Sequence, residues 1–201
     1  MTEHGYSLED FVGAARREFA RNRFEDAGIK IKEHLEAFLR HPSLVETYVG
    51  KEDVEAQKPQ VVIYKDADFG FMVLAHFFAK PMQSPPHDHG PCWVCYGVYR
   101  GATSVTTYRR LDDGSKPGRG ELEVAEEFTL EAGQARCFAP YDIHRIQHRD
   151  GRHVVLRVTA RDVEIIERHS FDLEKKTVNT VKPHDTAWND KPGPLASTKA
   201  G

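Results

Sequence analysis

Between Ser7 and Arg40, apolar side chains recur at three- and four-residue steps: Leu8, Phe11, Val12, Ala15 and Phe19, then, less regularly, Ile29, Ile31, Leu35, Phe38 and Leu39. That spacing gathers them on one face of an α-helix, so two amphipathic helices are predicted. Gly28 stands as the division between them, and Pro42 ends the second or opens a short third over 44–49. Ser7 followed by Asp10 has the form of a capping box with a shorter acid than usual.

After Lys58-Pro59 the pattern changes to short β-rich runs punctuated by Gly, Pro and Asp. They are Val61–Tyr64, Phe71–Phe78, Trp93–Tyr99, Ser104–Arg109, Glu121–Phe128, Ala135–Phe138, His153–Thr159 and Val163–Glu167. No helical stretch separates them, which predicts antiparallel pairing in a sandwich or barrel rather than a parallel α/β sheet. The polar stretch 112–120 is a predicted hairpin tip, and beyond Pro183 periodicity is lost. The predicted divisions are a helical N-terminal segment over 1–57, a barrel over 58–180 and an extended or mobile tail over 181–201.

The 201 residues suffice for one substantial core, and 28 Lys+Arg against 31 Asp+Glu leave a net charge of −3. Without a concentrated basic run, neither nucleic acid nor an anionic membrane is an expected partner. The longest apolar run, Phe69–Ala79, is interrupted by Gly70 and His76 and is too short to span a bilayer. Glu3, Glu9 and Asp10 stand where a secretory leader would need basic and then apolar residues, so a cytoplasmic protein is expected. Three cysteines in so long a chain read as thiols.

Histidine is the unusual resource. In Pro85-Pro86-His87-Asp88-His89-Gly90, two imidazoles separated by one residue project to the same side of an extended chain, about 6.6–6.8 Å apart along it. His144 follows the strand at 135–138, and three neutral imidazoles suit Fe, Ni, Cu, Zn or related divalent ions while leaving positions open.

The stretch HDHGPCWVCYGVYRG, then a hairpin, then GQARCFAPYDIHRIQH resembles the two motifs of the cupin superfamily. With Phe71-Met72-Val73-Leu74 upstream, it is similar to that superfamily's cysteine dioxygenase-like, or thiol dioxygenase, branch over roughly Val61 to Leu173. The resemblance implies an all-β double-stranded β-helix, the cupin jelly-roll barrel, behind an N-terminal helical segment. It implies metal ligation by His87, His89 and His144, with Val94 where the general cupin motif carries a ligating Glu. It also implies Fe(II) as the favoured ion, with Ni, Zn, Mn and Cu as alternatives. Two departures stand out. The branch's Ser-x-His-x-Tyr segment corresponds to Val155-Leu156-Arg157-Val158-Thr159, and the cysteine of its Cys–Tyr crosslink would fall at Val94.

The remaining candidates divide between site and scaffold. Tyr96, with Val94 and Val98, points to the barrel interior if Trp93 and Cys95 pack outward, there to serve as a core residue or, as a catalytic candidate, to donate its phenol to bound oxygen or substrate. Arg157 faces the metal if Val155 and Thr159 face inward, as the resemblance implies, and would favour an anionic substrate. Apolar alternation favours instead Val154, Leu156 and Val158 inside, with Arg157 in solvent. Asp142 is expected to satisfy backbone amides of its turn, with ligation or orientation of an imidazole as the alternative. His148 lies too far along the chain to share an ion with His144. Cys92 and Cys95 are expected to be ordinary thiols, Cys137 has no evident partner, Tyr141 and Arg145 are rim positions, and His76 is a core group. Together these readings predict a dioxygenase acting on a small thiol or small carboxylate-type substrate with O2, the alternative being a non-catalytic metal- or ligand-binding cupin. A homodimer is also allowed.

Overall fold

A computed structural model describes residues 5–22, 24–50, 59–149 and 152–183. The described residues open with three helices, α1 (Leu8–Arg21), α2 (Phe24–Phe38) and α3 (Leu44–Tyr48). At the start of α1 the Ser7 hydroxyl accepts from the Asp10 N–H at 3.1 Å while the Asp10 carboxylate accepts from the Ser7 N–H at 3.0 Å. The capping box therefore forms with aspartate as the acid. Leu8, Phe11 and Ala15 of α1 and Ala27, Ile31, Leu35 and Phe38 of α2 are buried in one core with the strands. Two expectations fail. Ile29 is 59% exposed, off the buried stripe. Gly28 lies inside α2 rather than between helices, because a Cβ there would sit 2.8 Å from the Cys137 sulfur and 2.9 Å from Trp93. The glycine permits close helix-to-sheet approach and does not end a helix.

Among the described residues eleven strands follow. The first six are β1 (Gln60–Lys65), β2 (Met72–Phe78), β3 (Met82–Gln83), β4 (Val94–Arg100), β5 (Thr103–Arg110) and β6 (Leu122–Leu130). The rest are β7 (Ala135–Phe138), β8 (Ile143–His148), β9 (His153–Thr159), β10 (Arg168–Asp172) and β11 (Thr177–Val181). A five-stranded sheet runs in the order β1-β2-β9-β4-β7, a four-stranded sheet β3-β8-β5-β6, and β10-β11 form a hairpin. Every pairing of these strands is antiparallel. The molecule is mostly β-sheet with a short helical segment ahead of it, the expected jelly-roll architecture.

The strand expected over 163–167 is instead a single 3-10 turn, Val163–Ile165, whose Asp162 carboxylate accepts from the Glu164 N–H at 3.0 Å. The pairing segment begins just beyond, at Arg168. β3, β8, β10 and β11 lie outside the predicted strands, since sequences such as IHRIQH and RHSFD carry too little apolar patterning to announce a strand. Of the expected tail, residues 184–201 lie outside the described residues.

The five-stranded sheet is covered on both faces. A Cβ at Gly97 would lie 2.6 Å from the Leu39 side chain, so Trp93, Cys95 and Gly97 face the helices. Val94, Tyr96 and Val98 then face the second sheet. All seven residues of β9 are buried, which two-sided coverage requires. Among the described residues no helix is long and apolar enough to cross a membrane.

Helix α1 is fastened to the turn after β1 by Asp66. Its carboxylate accepts from Arg16 at 2.6 Å, Tyr64 at 2.9 Å and the N–H groups of Asp68 and Phe69 at 3.0 and 2.8 Å. Burial works to raise the Asp66 pKa, but the Phe69 amide, the Tyr64 hydroxyl, Arg16 and the Asp68 amide outweigh it and hold the carboxyl below its usual value. The stabilisation is therefore complete above the pKa of an unfolded Asp, about 3.9, and is lost as pH falls through the lower folded value. Asp66→Ala orphans several of these donors and should cost about 2–3 kcal/mol in urea unfolding at neutral pH, the deficit shrinking as pH falls below about 3.9.

Candidate metal centre

His87 and His144 exchange backbone hydrogen bonds, N–H to O, of 2.9 and 3.0 Å. Residues opposed in this way present side chains to the same face, and their ring centroids lie 4.7 Å apart. His89, one alternation further on, brings its ring to 5.0 Å from His87 and 5.2 Å from His144. One nitrogen from each of the three lies within 4.8 Å of the others. The three predicted histidines converge although they come from separated stretches.

The segment carrying His87 and His89 is an extended connection clasped from both sides. His87 bridges β8 at His144 and β10 at Ser170. Asp88, pointing the other way, accepts from the N–H groups of Gly90 and His169, both at 2.9 Å, and from His169 Nδ1, also at 2.9 Å. Gly90 ends the segment with φ of 59°, where a Cβ would collide with the Glu167 carbonyl at 2.1 Å.

The hydrogen bonds of the rings set their tautomers. A carbonyl can only accept, so Nδ1–H of His87 donates to Pro85 at 2.9 Å and Nδ1–H of His144 donates to Asp142 at 3.2 Å. Each Nε2 is left with its lone pair. His144 Nε2 and both ring nitrogens of His89 are buried without a hydrogen-bond partner among the described residues. Burial drives the His144 pKa down to about 3, His87 adding to the shift and the Asp142 carbonyl opposing it. Burial likewise pushes His89 well below its ordinary value, helped by His144 and His87, and lowers His87 against the pull of the Pro85 carbonyl. Three neutral rings whose ligand atoms lie within 4.8 Å of one another, two of them with buried unsatisfied nitrogens, are what a divalent cation requires, and this donor set could hold one.

Around this point, Phe138 stacks on His144 at 3.8 Å, and Tyr96 stands 6.1 Å from His89 and 5.9 Å from His144. Tyr96 and Arg157 are cross-strand partners of β4 and β9, and with His87 and His89 they line a cavity of about 320 Å³. The inward orientation of Val155, Arg157 and Thr159 thus prevails over the one suggested by apolar alternation. Arg157 is 8% exposed, reaches Gln60 at 3.4 Å through Nη2, and its Nε has no hydrogen-bond partner among the described residues.

Other candidates part from the site. The Asp142 carboxylate accepts from the Ala139 N–H at 2.7 Å, so its backbone carbonyl, not its side chain, orients His144. His148 is a partner of Thr103 at 3.2 Å and lies 4.6 Å from His153, away from the convergent three. Arg145 lies over Tyr108 at 5.9 Å, and Tyr141 is exposed with φ of 65°. Cavity-lining Glu164, Arg168 and His169 escape the sequence reading, because they belong to the turn and strand whose pairing it could not see. Glu164 and Arg168 pair through two contacts of 3.0 and 2.9 Å.

No protein-family model and no curated protein matches the sequence. Among solved structures, KdgF from Halomonas sp. is 16% identical with a TM-score of 0.38, over 50% of this chain and 74% of that one. A cupin superfamily protein from Desulfitobacterium hafniense is 16% identical with a TM-score of 0.37, over 51% and 76%. A hydroquinone 1,2-dioxygenase in complex with Cd2+ and 4-hydroxybenzonitrile is 16% identical with a TM-score of 0.39, over 50% of this chain and 63% of that one.

Two predictions follow from the geometry. His144→Ala should lose stoichiometric divalent metal in elemental analysis after desalting, whereas His148→Ala should keep it. Asp88→Ala should retain the three rings but weaken metal affinity about 10–100-fold by calorimetry, because the support holding His87 and His89 in register is gone.

Proposed function

We propose that this chain is a metal-dependent oxygenase, with Fe(II) held by His87, His89 and His144, that oxidises a small thiol or small carboxylate-bearing substrate with O2. The observation that carries this proposal is the convergence of three neutral imidazoles, two of them with buried nitrogens that no group among the described residues satisfies, beside a cavity that His87 and His89 line. When bound, Fe(II) would supply open coordination positions at which substrate and O2 meet and exchange electrons.

The chain's own residues would do the rest. Arg157 presents guanidinium N–H groups to the cavity and suits a carboxylate, which it can clasp through two parallel hydrogen bonds. Tyr96, opposite Arg157, offers a phenol that donates a hydrogen bond to the bound substrate. Phe138 and the helix-backed sheet keep water from the far side of His144, so that charge interactions within the cavity are not diluted. Val155 and Thr159 bring neither a His nor a Tyr, so substrate contact falls to Arg157 and Tyr96. This favours a substrate anchored by a carboxylate, whether or not it also carries a thiol.

Oxygen uptake by the iron-loaded full chain, measured across thiols, 1,3-diketones and small carboxylic acids, tests the proposal. Uptake is expected with a carboxylate-bearing member. Arg157→Leu should raise KM for that member about 10–100-fold, the worth of a charge-assisted hydrogen bond, and change KM for neutral thiols little. Stoichiometric iron with no uptake across the panel would instead identify a non-catalytic metal- or ligand-binding protein.

A further inference from the structure

Cys95 on β4 and Cys137 on β7 stand directly opposite one another in the five-stranded sheet, and neither belongs to the site described above. Their rung is the closely spaced kind. The Val98 N–H donates to Gln134 O at 2.9 Å, and the Ala135 N–H turns outward to the Glu36 carboxylate at 3.0 Å. Counting rungs back from there places Cys95 and Cys137 at a non-hydrogen-bonded position, where Cα atoms lie about 4.5 Å apart. Disulfides bridge Cα separations of about 4.4–6.8 Å, so no strand need move.

Both sulfurs also lie on the helix-covered face, against one residue of α2. Cys95 Sγ is 3.3 Å from the Gly28 carbonyl, and a Cβ on Gly28 would meet Cys137 Sγ at 2.8 Å. The bare glycine leaves the space in which the two sulfurs meet. Cys92, the nearer cysteine in sequence, turns elsewhere, with its sulfur 3.3 Å from the Trp93 carbonyl and 3.9 Å from that of Arg161.

We propose that Cys95 and Cys137 are a dithiol site that closes into an intramolecular cross-strand disulfide when the protein meets hydrogen peroxide. Cys137 is half-buried and Cys95 fully buried, so the oxidant reaches Cys137 first. The Cys137 sulfur attacks a peroxide oxygen, the O–O bond breaks, and a sulfenic acid and one water result. The Cys95 sulfur then attacks Cys137. The S–S bond forms, the S–OH bond breaks, and the Cys95 thiol proton leaves with the hydroxyl as a second water. Two thiols lose two electrons, and hydrogen peroxide is reduced to two waters. The new bond lies one residue from Tyr96 and one from Phe138, the ring stacked on His144, and ties their strands together.

Hydrogen peroxide treatment of the full wild-type chain, followed by alkylation under denaturing conditions and peptide mapping, tests this. One alkylatable thiol, Cys92, and a linked peptide pair carrying Cys95 and Cys137 are expected, both reversed by dithiothreitol. Thermal unfolding of the oxidised protein should shift upward by several degrees and return on reduction. Cys92→Ser should still form the bond, and Cys95→Ala should accumulate a dimedone-reactive sulfenic acid at Cys137. Three thiols still alkylatable after treatment, a bond between chains, a bond to Cys92, or Cys137 carried to the sulfinic acid with no linked pair would each overturn the proposal. The mapping uses the wild-type chain, so it decides the matter even if a variant fails to fold.

Discussion

His87 and His144 face each other across two backbone hydrogen bonds of 2.9 and 3.0 Å, and the site depends on that rung. It joins the extended HxH segment to β8 and orients two imidazoles onto one face. Alternation along the segment then adds His89, while Asp88, forced to the opposite side, holds β10 through two side-chain contacts with His169. The same two-residue period that gathers the imidazoles therefore sets aside the aspartate as their support. Positioning His87 and His144 costs little strain, because each of these two rings is oriented by a nearby backbone carbonyl, from Pro85 or Asp142.

The second constraint is that the sheet carrying Tyr96 and Arg157 is buried on both faces. In a sheet with one solvent face, the more apolar side faces the core, and Arg157 would sit outside. Here the helical segment covers the outer face, and its contacts with Trp93, Cys95 and Gly97 make that side the more apolar one. The inner face keeps Tyr96 and Arg157, because at these two positions it borders a cavity. Polarity within the barrel and apolarity behind it have one cause. The helices supply the hydrophobic partner that frees the interior for chemistry.

That layer also accounts for Gly28 and Gly97. Both stand where α2 and the sheet approach too closely for a Cβ, one against Trp93 and Cys137, the other against Leu35 and Leu39. Read along the chain, Gly28 resembles a helix boundary. In three dimensions it is a contact between helix and sheet, and it brings a carbonyl and open space to the two cysteines.

The local pattern was enough to disclose the helical face of α1, the succession of antiparallel strands and the convergent pair His87 and His89, since these depend on periods of three to four or two residues read within one segment. His144 was visible as a third candidate imidazole, and the motif resemblance added its ligand role and the jelly-roll form of the barrel. Tertiary structure decided what depends on neighbours distant in the chain. It buried β9 on both faces and so turned Arg157 inward, and it drew β10 and His169 to Asp88. It also set Cys95 opposite Cys137 and moved the break between helices away from Gly28. A residue's own sequence neighbours define which side of an element it occupies, but only the packing of other elements determines whether that side meets water, a cavity or a second layer.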